Sequence, residues 1–251
     1  MRKAGISGRE KRICGFPELP TFLVLFSVET SENLHREGGR FSSLSVQTPP
    51  ASRPPFRGEF TPTDYFQRLD PAELSPDGKP LEIDLGCGDG SFLLDMAAQH
   101  PERRFLGVER LLGRVRKVAK RITKAGLENA QVLRLESRYT VEWLLPPASV
   151  SRLHLLCPDP WPKVKHHRRR LVQQPFLDAI RDILTADGEF LFMTDHEEYF
   201  HWVEDEVARH GGFRRLEWHA DSFFYPKTDF QRQWEAEGKS MWRLRLAKAD
   251  A

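Results

Sequence analysis

At 251 residues the chain is long enough for one large domain with a sizeable core. Its 38 basic and 36 acidic residues leave a net charge of +2, too small to name a partner, so only the distribution of charge is informative. The three cysteines, Cys14, Cys87 and Cys157, form no CxxC pair; they argue against a disulfide framework or a structural zinc site and fit a reducing, cytoplasmic setting.

Residues 1–57 mix Gly, Ser, Pro and Arg, end in "QTPPASRPPFRG" and hold no sustained period of 2 or 3.6. They are expected to form a disordered extension, or to be read from too early a start codon. The run "TFLVLFSV", Thr21 to Val28, falls well short of the roughly 20 residues a bilayer span needs. It is also a poor signal-peptide core, because its leader carries Glu10, Glu18 and Pro20. Residues 58–251 are expected to hold the functional domain.

From Pro80 onward short apolar runs alternate with amphipathic stretches. "LEIDLG", "RRFLGVE", "AQVLRLE", "SRLHLLC" and "GEFLFMTD" read as strands separated by helices, which predicts an α/β fold with a mostly parallel sheet and helices on both faces. "FRRLEW" and "MWRLRLAK" alternate with period 2 around a long polar loop and predict an antiparallel pair at one edge.

Between the first of these strands and its helix lie Gly86, Gly88 and Gly90, which let the backbone turn sharply and approach a ligand across the strand ends. The spacing is GxGxG, with Ser91 where a dinucleotide fingerprint would have its third glycine, which disfavours a nicotinamide dehydrogenase. The competing reading is a glycine-rich turn without a ligand. Nineteen residues beyond Gly90 the second strand ends in Glu109, placed to accept hydrogen bonds from both hydroxyls of a ribose. The third strand is expected to end at Glu136 and Ser137, the fourth at Asp159 and the fifth at Asp195, with Glu82 and Asp84 inside the first. A parallel sheet gathers such ends on one edge, where ligands bind.

Two basic surfaces follow. The helix after Glu109 has an apolar face of Leu111, Leu112, Val115, Val118, Ala119 and Ile122, and a stripe of Arg110, Arg114, Lys117, Arg121 and Lys124 with no acid before Glu128. A solvated face is the competing account of that stripe. Lys163, Lys165, Arg168, Arg169 and Arg170 form the second cluster, suited to a phosphate backbone. The adjacent His166 and His167 do not share a direction, so a metal site is not expected. Ahead of this cluster, Pro158, Pro160 and Pro162 stiffen a loop and fix Asp159 and Trp161 before a substrate arrives.

These segments resemble the bacterial tRNA (guanine-N7-)-methyltransferases. The resemblance spans roughly Pro80 to the C-terminus and rests on "LEIDLGCGDG", "FLGVER", "CPDPWPKVKHHRRRLVQ", "FMTDHEEYF" and "TDFQ". It implies a Rossmann-like class I methyltransferase domain over residues 58–251 and S-adenosylmethionine as methyl donor. The acceptor it implies is N7 of a guanine in tRNA, position 46 of the variable loop. It further implies Glu82, Gly86, Gly88, Glu109, Glu136 and Asp159 around the cofactor, with Asp159 catalytic. Lys163, Asp195, Thr228, Asp229, Phe230 and Gln231 would face the tRNA. Two positions depart from the family: Asp84 stands where glycine is typical, and Gln231 where glutamate is typical. The alternatives are a class I methyltransferase acting on another RNA or on a non-nucleic-acid substrate, and a nucleic-acid-binding module with a vestigial cofactor pocket.

Overall fold

The structure, a computed structural model, describes residues 58–218 and 224–249, the side chains of Asp229 and Phe230 excepted. The disordered extension expected over residues 1–57 lies outside these. All the expected strands form: β2 (Leu81–Leu85), β3 (Arg104–Glu109), β4 (Ala130–Arg134), β5 (Val150–Leu156), β6 (Leu184–Thr194), β7 (Phe213–Leu216) and β8 (Trp242–Lys248). A short strand that the sequence did not announce, β1 (Glu59–Phe60), pairs in parallel with β4. Two residues are too few to carry a readable alternation.

The eight-stranded sheet runs in the order β1-β4-β3-β2-β5-β6-β8-β7. Its first six strands are parallel, and β8 inserts antiparallel between β6 and β7. The expected mostly parallel sheet with an antiparallel pair at its C-terminal edge is thus observed.

Strand alternation divides the core between the two faces. Leu81, Ile83 and Leu85 of β2, Leu106 and Val108 of β3 and Leu153 and Leu155 of β5 pack with α5 (Gln174–Ile183) and α6 (Glu197–His210). The opposite face receives α2 (Ser91–Gln99) and α3 (Leu112–Ala125) through Phe92, Leu93, Val115, Val118 and Ile122. Because side chains alternate, Glu82, Asp84, Glu109 and His154 fall on the α2/α3 face, and all four are buried. The sheet thereby commits four ionisable groups to one side of the molecule.

Local chemistry sets the helix ends. α3 stops at Gly126, whose φ of 65° lets its amide donate back to the carbonyls of Ile122 and Thr123. α2 starts from Gly90, at φ 79°, where a Cβ would stand 2.8 Å from a Val118 methyl. That close approach lets the start of α2 seat against Val118 of α3.

Candidate active site at the carboxyl edge of the sheet

The glycine loop connects β2 to α2. The Gly86 and Cys87 amides donate to the Val108 carbonyl at 2.8 and 3.0 Å, so the loop is laced to the end of β3. Gly86 (φ 76°) and Gly88 (φ 60°) adopt conformations that favour glycine. A Cβ on Gly86 would meet nothing within 4 Å, and one on Gly88 only the Gly86 carbonyl at 3.9 Å. These glycines therefore hold open the space over the loop, rather than satisfying packing within it. Gly107 of β3 does the reverse: a Cβ there would lie 2.7 Å from Leu93 Cδ2 and 2.8 Å from Cys87 Sγ.

Glu109 closes β3 beside this space with 6% exposure. Its Oε1 accepts from the Leu111 amide at 2.8 Å, and Oε2 is 3.5 Å from Arg114 Nη1. Each oxygen keeps a lone pair for a further donor. Asp84 lies in the adjacent strand, paired with Gly107, and burial together with the Glu109 charge pushes its carboxyl up to about 7.

Glu82 sits lower in the same strand and is fully buried. Arg103 Nη1 donates to its Oε1 at 2.9 Å and Arg152 Nη1 approaches the same oxygen at 3.4 Å. His154 Nε2 lies 2.8 Å from Oε2. Burial alone would raise the Glu82 carboxyl, but the His154 hydrogen bond and the two arginines outweigh it and hold the group below its usual range. Burial drives the His154 imidazole down. The two directions agree on a neutral His154 that donates from Nε2 to a charged Glu82 and accepts at Nδ1 from the Tyr225 hydroxyl, 3.4 Å away. Tyr225 also packs on Phe92, with centroids 4.9 Å apart. Glu82 is therefore the hub of a network beneath the loop, tying it to the chain that precedes Thr228.

β4 ends at Arg134, two residues short of the expected Glu136. Glu136 is exposed and caps the short helix α4 (Ser137–Tyr139), accepting from the Tyr139 amide at 2.8 Å. Past it, Thr140–Leu144 forms a π-helical turn.

After β5 the chain enters the proline loop. Cys157, at φ 50°, and Trp161, at φ 45°, take left-handed conformations at its two ends, each costing about 1–3 kcal/mol. Asp159 between them is exposed and makes no hydrogen bond or ion pair among the described residues. Burial, with Asp195 nearby, pushes the Cys157 thiol up to about 12, so it stays protonated at neutral pH. Asp195 follows β6 and is half-buried. Lys163 leads into a 3-10 turn, Val164–Arg169, and is exposed, as are Lys165, Arg168 and Arg169. Arg169 stacks 4.9 Å from the Trp161 ring. Arg170 departs from the run: it is wholly buried and cannot join the phosphate-binding surface expected of it.

Thr228 caps α7 (Asp229–Ala236), accepting from the Gln231 amide at 3.0 Å. Gln231 is 2% exposed and donates to Glu235 Oε1 at 2.7 Å. The side chains of Asp229 and Phe230 lie outside the described residues. Among those residues no group of three or more His, Cys, Asp or Glu is arranged to hold a metal ion, and no helix is long and apolar enough to cross a membrane.

A mostly parallel sheet with an open glycine loop and acids at or just past successive strand ends fits a Rossmann-like methyltransferase class, and comparison with known proteins agrees. The methyltransferase family profile Methyltransf_4 matches residues 78–244. The tRNA (guanine-N(7)-)-methyltransferase of Chlorobium phaeobacteroides is 34% identical over 176 residues, covering 69% of this chain and 84% of that protein. The protein of the same name from Rubrobacter xylanophilus is 32% identical over 183 residues, covering 72% and 82%. The chain belongs to the tRNA (guanine-N(7)-)-methyltransferase family. Among solved structures, the 16S rRNA methyltransferase KamB superposes with a TM-score of 0.54 at 19% identity over 74% of this chain and 96% of that one. The aminoglycoside resistance methyltransferase NpmB1 gives 0.51 at 22%, over 72% and 95%. At these identities the likeness is one of fold.

Proposed function

We infer that the protein transfers a methyl group from S-adenosylmethionine to N7 of guanine in tRNA, at position 46 of the variable loop. The observation that carries this reading is the exposed Asp159 on a stiffened loop, set between the open glycine cradle and a run of exposed cations.

The residues present fit the donor. The space over Gly86 and Gly88 would take its backbone-hugging portion, and Glu109 keeps acceptor capacity for ribose hydroxyls. Glu136 and Asp159 line the same edge, and Glu82 supports the loop from below. When bound, S-adenosylmethionine supplies an electrophilic methyl group on a sulfonium.

The acceptor needs no base, because guanine N7 carries an in-plane lone pair. Alignment then does most of the catalysis, an effect that reaches about 7–11 kcal/mol in intramolecular analogues. The base becomes cationic as N7 is alkylated, and the fixed Asp159 carboxylate stabilises that growing charge. Lys163 and the exposed cations of the 3-10 turn hold phosphates and set the register of the tRNA. Asp195 and the segment Thr228 to Phe230 border the acceptor, while the buried Gln231 is held inward by Glu235 and does not reach it.

The test is methyl transfer from labelled S-adenosylmethionine to unmodified bulk tRNA, followed by nucleoside analysis. Label in 7-methylguanosine, abolished in a transcript with adenine at position 46, is the expected result. Label on another base would move the substrate assignment, and no transfer would overturn it. Asp159→Asn is expected to lower kcat about 100- to 1000-fold with little change in cofactor affinity; an unchanged rate would remove the electrostatic role.

A further inference from the structure

The basic run after the proline loop ends in a residue that no polyanion can reach. Arg170 has 0% exposure, although four other cations of the run, Lys163, Lys165, Arg168 and Arg169, are exposed. Its guanidinium carbon lies 4.9 Å from the ring centroids of both Tyr199 and Trp202. Nη1 donates to Glu198 Oε1 at 3.0 Å and Nη2 to Glu198 Oε2, a paired contact that holds the Glu198 carboxyl below its usual range. Nε donates to the Pro160 carbonyl at 3.0 Å. The Arg170 carbonyl is held in turn by Gln173 Nε2 at 2.9 Å.

These contacts join two separate strand ends. Pro160 follows Asp159 on the loop after β5, and Glu198 lies in the first turn of α6, just beyond Asp195 at the end of β6. Asp159 makes no hydrogen bond or ion pair among the described residues, and its loop carries left-handed residues at both ends. The loop therefore needs an external restraint to keep one conformation. Glu198 is half-exposed, and an ion pair open to water on one side adds little net stability, so stability alone is a weak reason for an arginine here. Its planar fork is a good reason, because a lysine ammonium cannot grip a carboxylate in pairs, stack on two rings and reach a carbonyl together.

We propose that Arg170 is a positioning residue, a clamp that sets Asp159 relative to Asp195, and that it takes no part in binding tRNA phosphates. The clamp rests on the functional reading only for the identity of the groups it positions.

Two variants test it, with kinetics on tRNA and with NMR relaxation of the amides in residues 159–163 of the free protein. Glu198→Gln changes a half-exposed partner, keeps its size and halves its grip. Expected are a kcat about tenfold lower, tRNA affinity within about twofold of wild type, and lower backbone order parameters at the Asp159, Trp161 and Lys163 amides. Arg170→Lys is expected to lower kcat about 100-fold without changing the salt dependence of tRNA binding. Weakened tRNA binding with a flatter salt slope and unchanged kcat would make Arg170 a phosphate contact and overturn the clamp. So would Glu198→Gln with kcat and loop order parameters both unchanged, a result that stands even if Arg170→Lys fails to fold. Relaxation is read without tRNA or donor, so a wild-type protein that methylates no tRNA guanine would refute the functional reading while still deciding the clamp.

Discussion

The Asp84 carboxyl occupies a strand position 4% exposed to solvent, pushed up to about 7 by burial and by Glu109. Its ordinary value is 3.8, so between about pH 4 and pH 7 the folded protein holds one proton more than the unfolded chain. The stability contributed by the protonated form is fully present below about pH 4 and lost as pH rises to about 7, at about 1.4 kcal/mol per unit. Asp84→Asn, whose amide stands in for the protonated carboxyl, should therefore gain stability over wild type progressively across that window and by a constant amount above it. Urea unfolding at several pH values, without cofactor, checks this; a pH-independent difference would mean that Asp84 is charged in the fold. The acid itself was legible in "LEIDLG". Its titration was not, because the Glu109 charge reaches it across the β2–β3 pairing. The same holds for Glu82, whose partner His154 is brought in by the pairing of β2 with β5.

α3 shows what a helical pattern can and cannot disclose. Val115, Val118, Ala119 and Ile122 are buried as their spacing predicts, but Leu111 is 45% exposed because it precedes the helix as its N-cap residue. The basic stripe is thinned as well: Arg121 turns aside to Asp89, with Nη1 2.9 Å from Oδ2, and Arg114 leans toward Glu109. Arg110, Arg116, Lys117, Lys120 and Lys124 stay exposed and make no ion pair among the described residues. α3 starts at the carboxyl edge and runs away from it for about 21 Å, at about 1.5 Å per residue. Arg110→Ala should thus weaken tRNA binding more than Lys124→Ala does, each lost phosphate contact flattening the salt dependence of log K by about 0.7–0.9. Filter binding at several salt concentrations measures both, and equal effects from the two ends would show that tRNA does not approach along the site edge. At the other end of the chain, the Thr228 to Gln231 segment was recognisable as a motif, whereas its role as the capped start of α7 depends on where the last helix begins.

At the scale of the molecule, two core clusters back one sheet, and the site lies along the edge they share. A donor that binds only the folded protein should stabilise it by mass action, about 2.7 kcal/mol at a concentration 100 times its Kd. For a chain of this size that is a rise in Tm of about 5–11 °C, readable by thermal unfolding with S-adenosylmethionine. No rise would argue against the glycine cradle as its site. The unit Ser52–Ala251 contains every described strand, and also Gly58 just ahead of β1, whose carbonyl accepts from the Val132 amide at 2.9 Å. Removing residues 1–51 should accordingly leave methyl transfer within about twofold of the full chain, and its abolition in a still-folded protein would give that segment a function.

By itself the sequence determined the α/β alternation, the glycine loop, the acids at the strand ends and the stiffened proline loop. Each is written in backbone preferences and periodicities a few residues long, which act before distant parts of the chain meet. Only the tertiary structure decided that β8 enters between β6 and β7, that Glu82 is the hub of a buried network, and that Arg170 faces inward while its basic neighbours face out. Those outcomes depend on partners far along the chain: Glu198, Tyr199 and Trp202 enclose Arg170 from a different helix. A cation buried among distant rings and a carboxylate reads locally like one left in water, so the direction of Arg170 becomes visible only once the chain has folded.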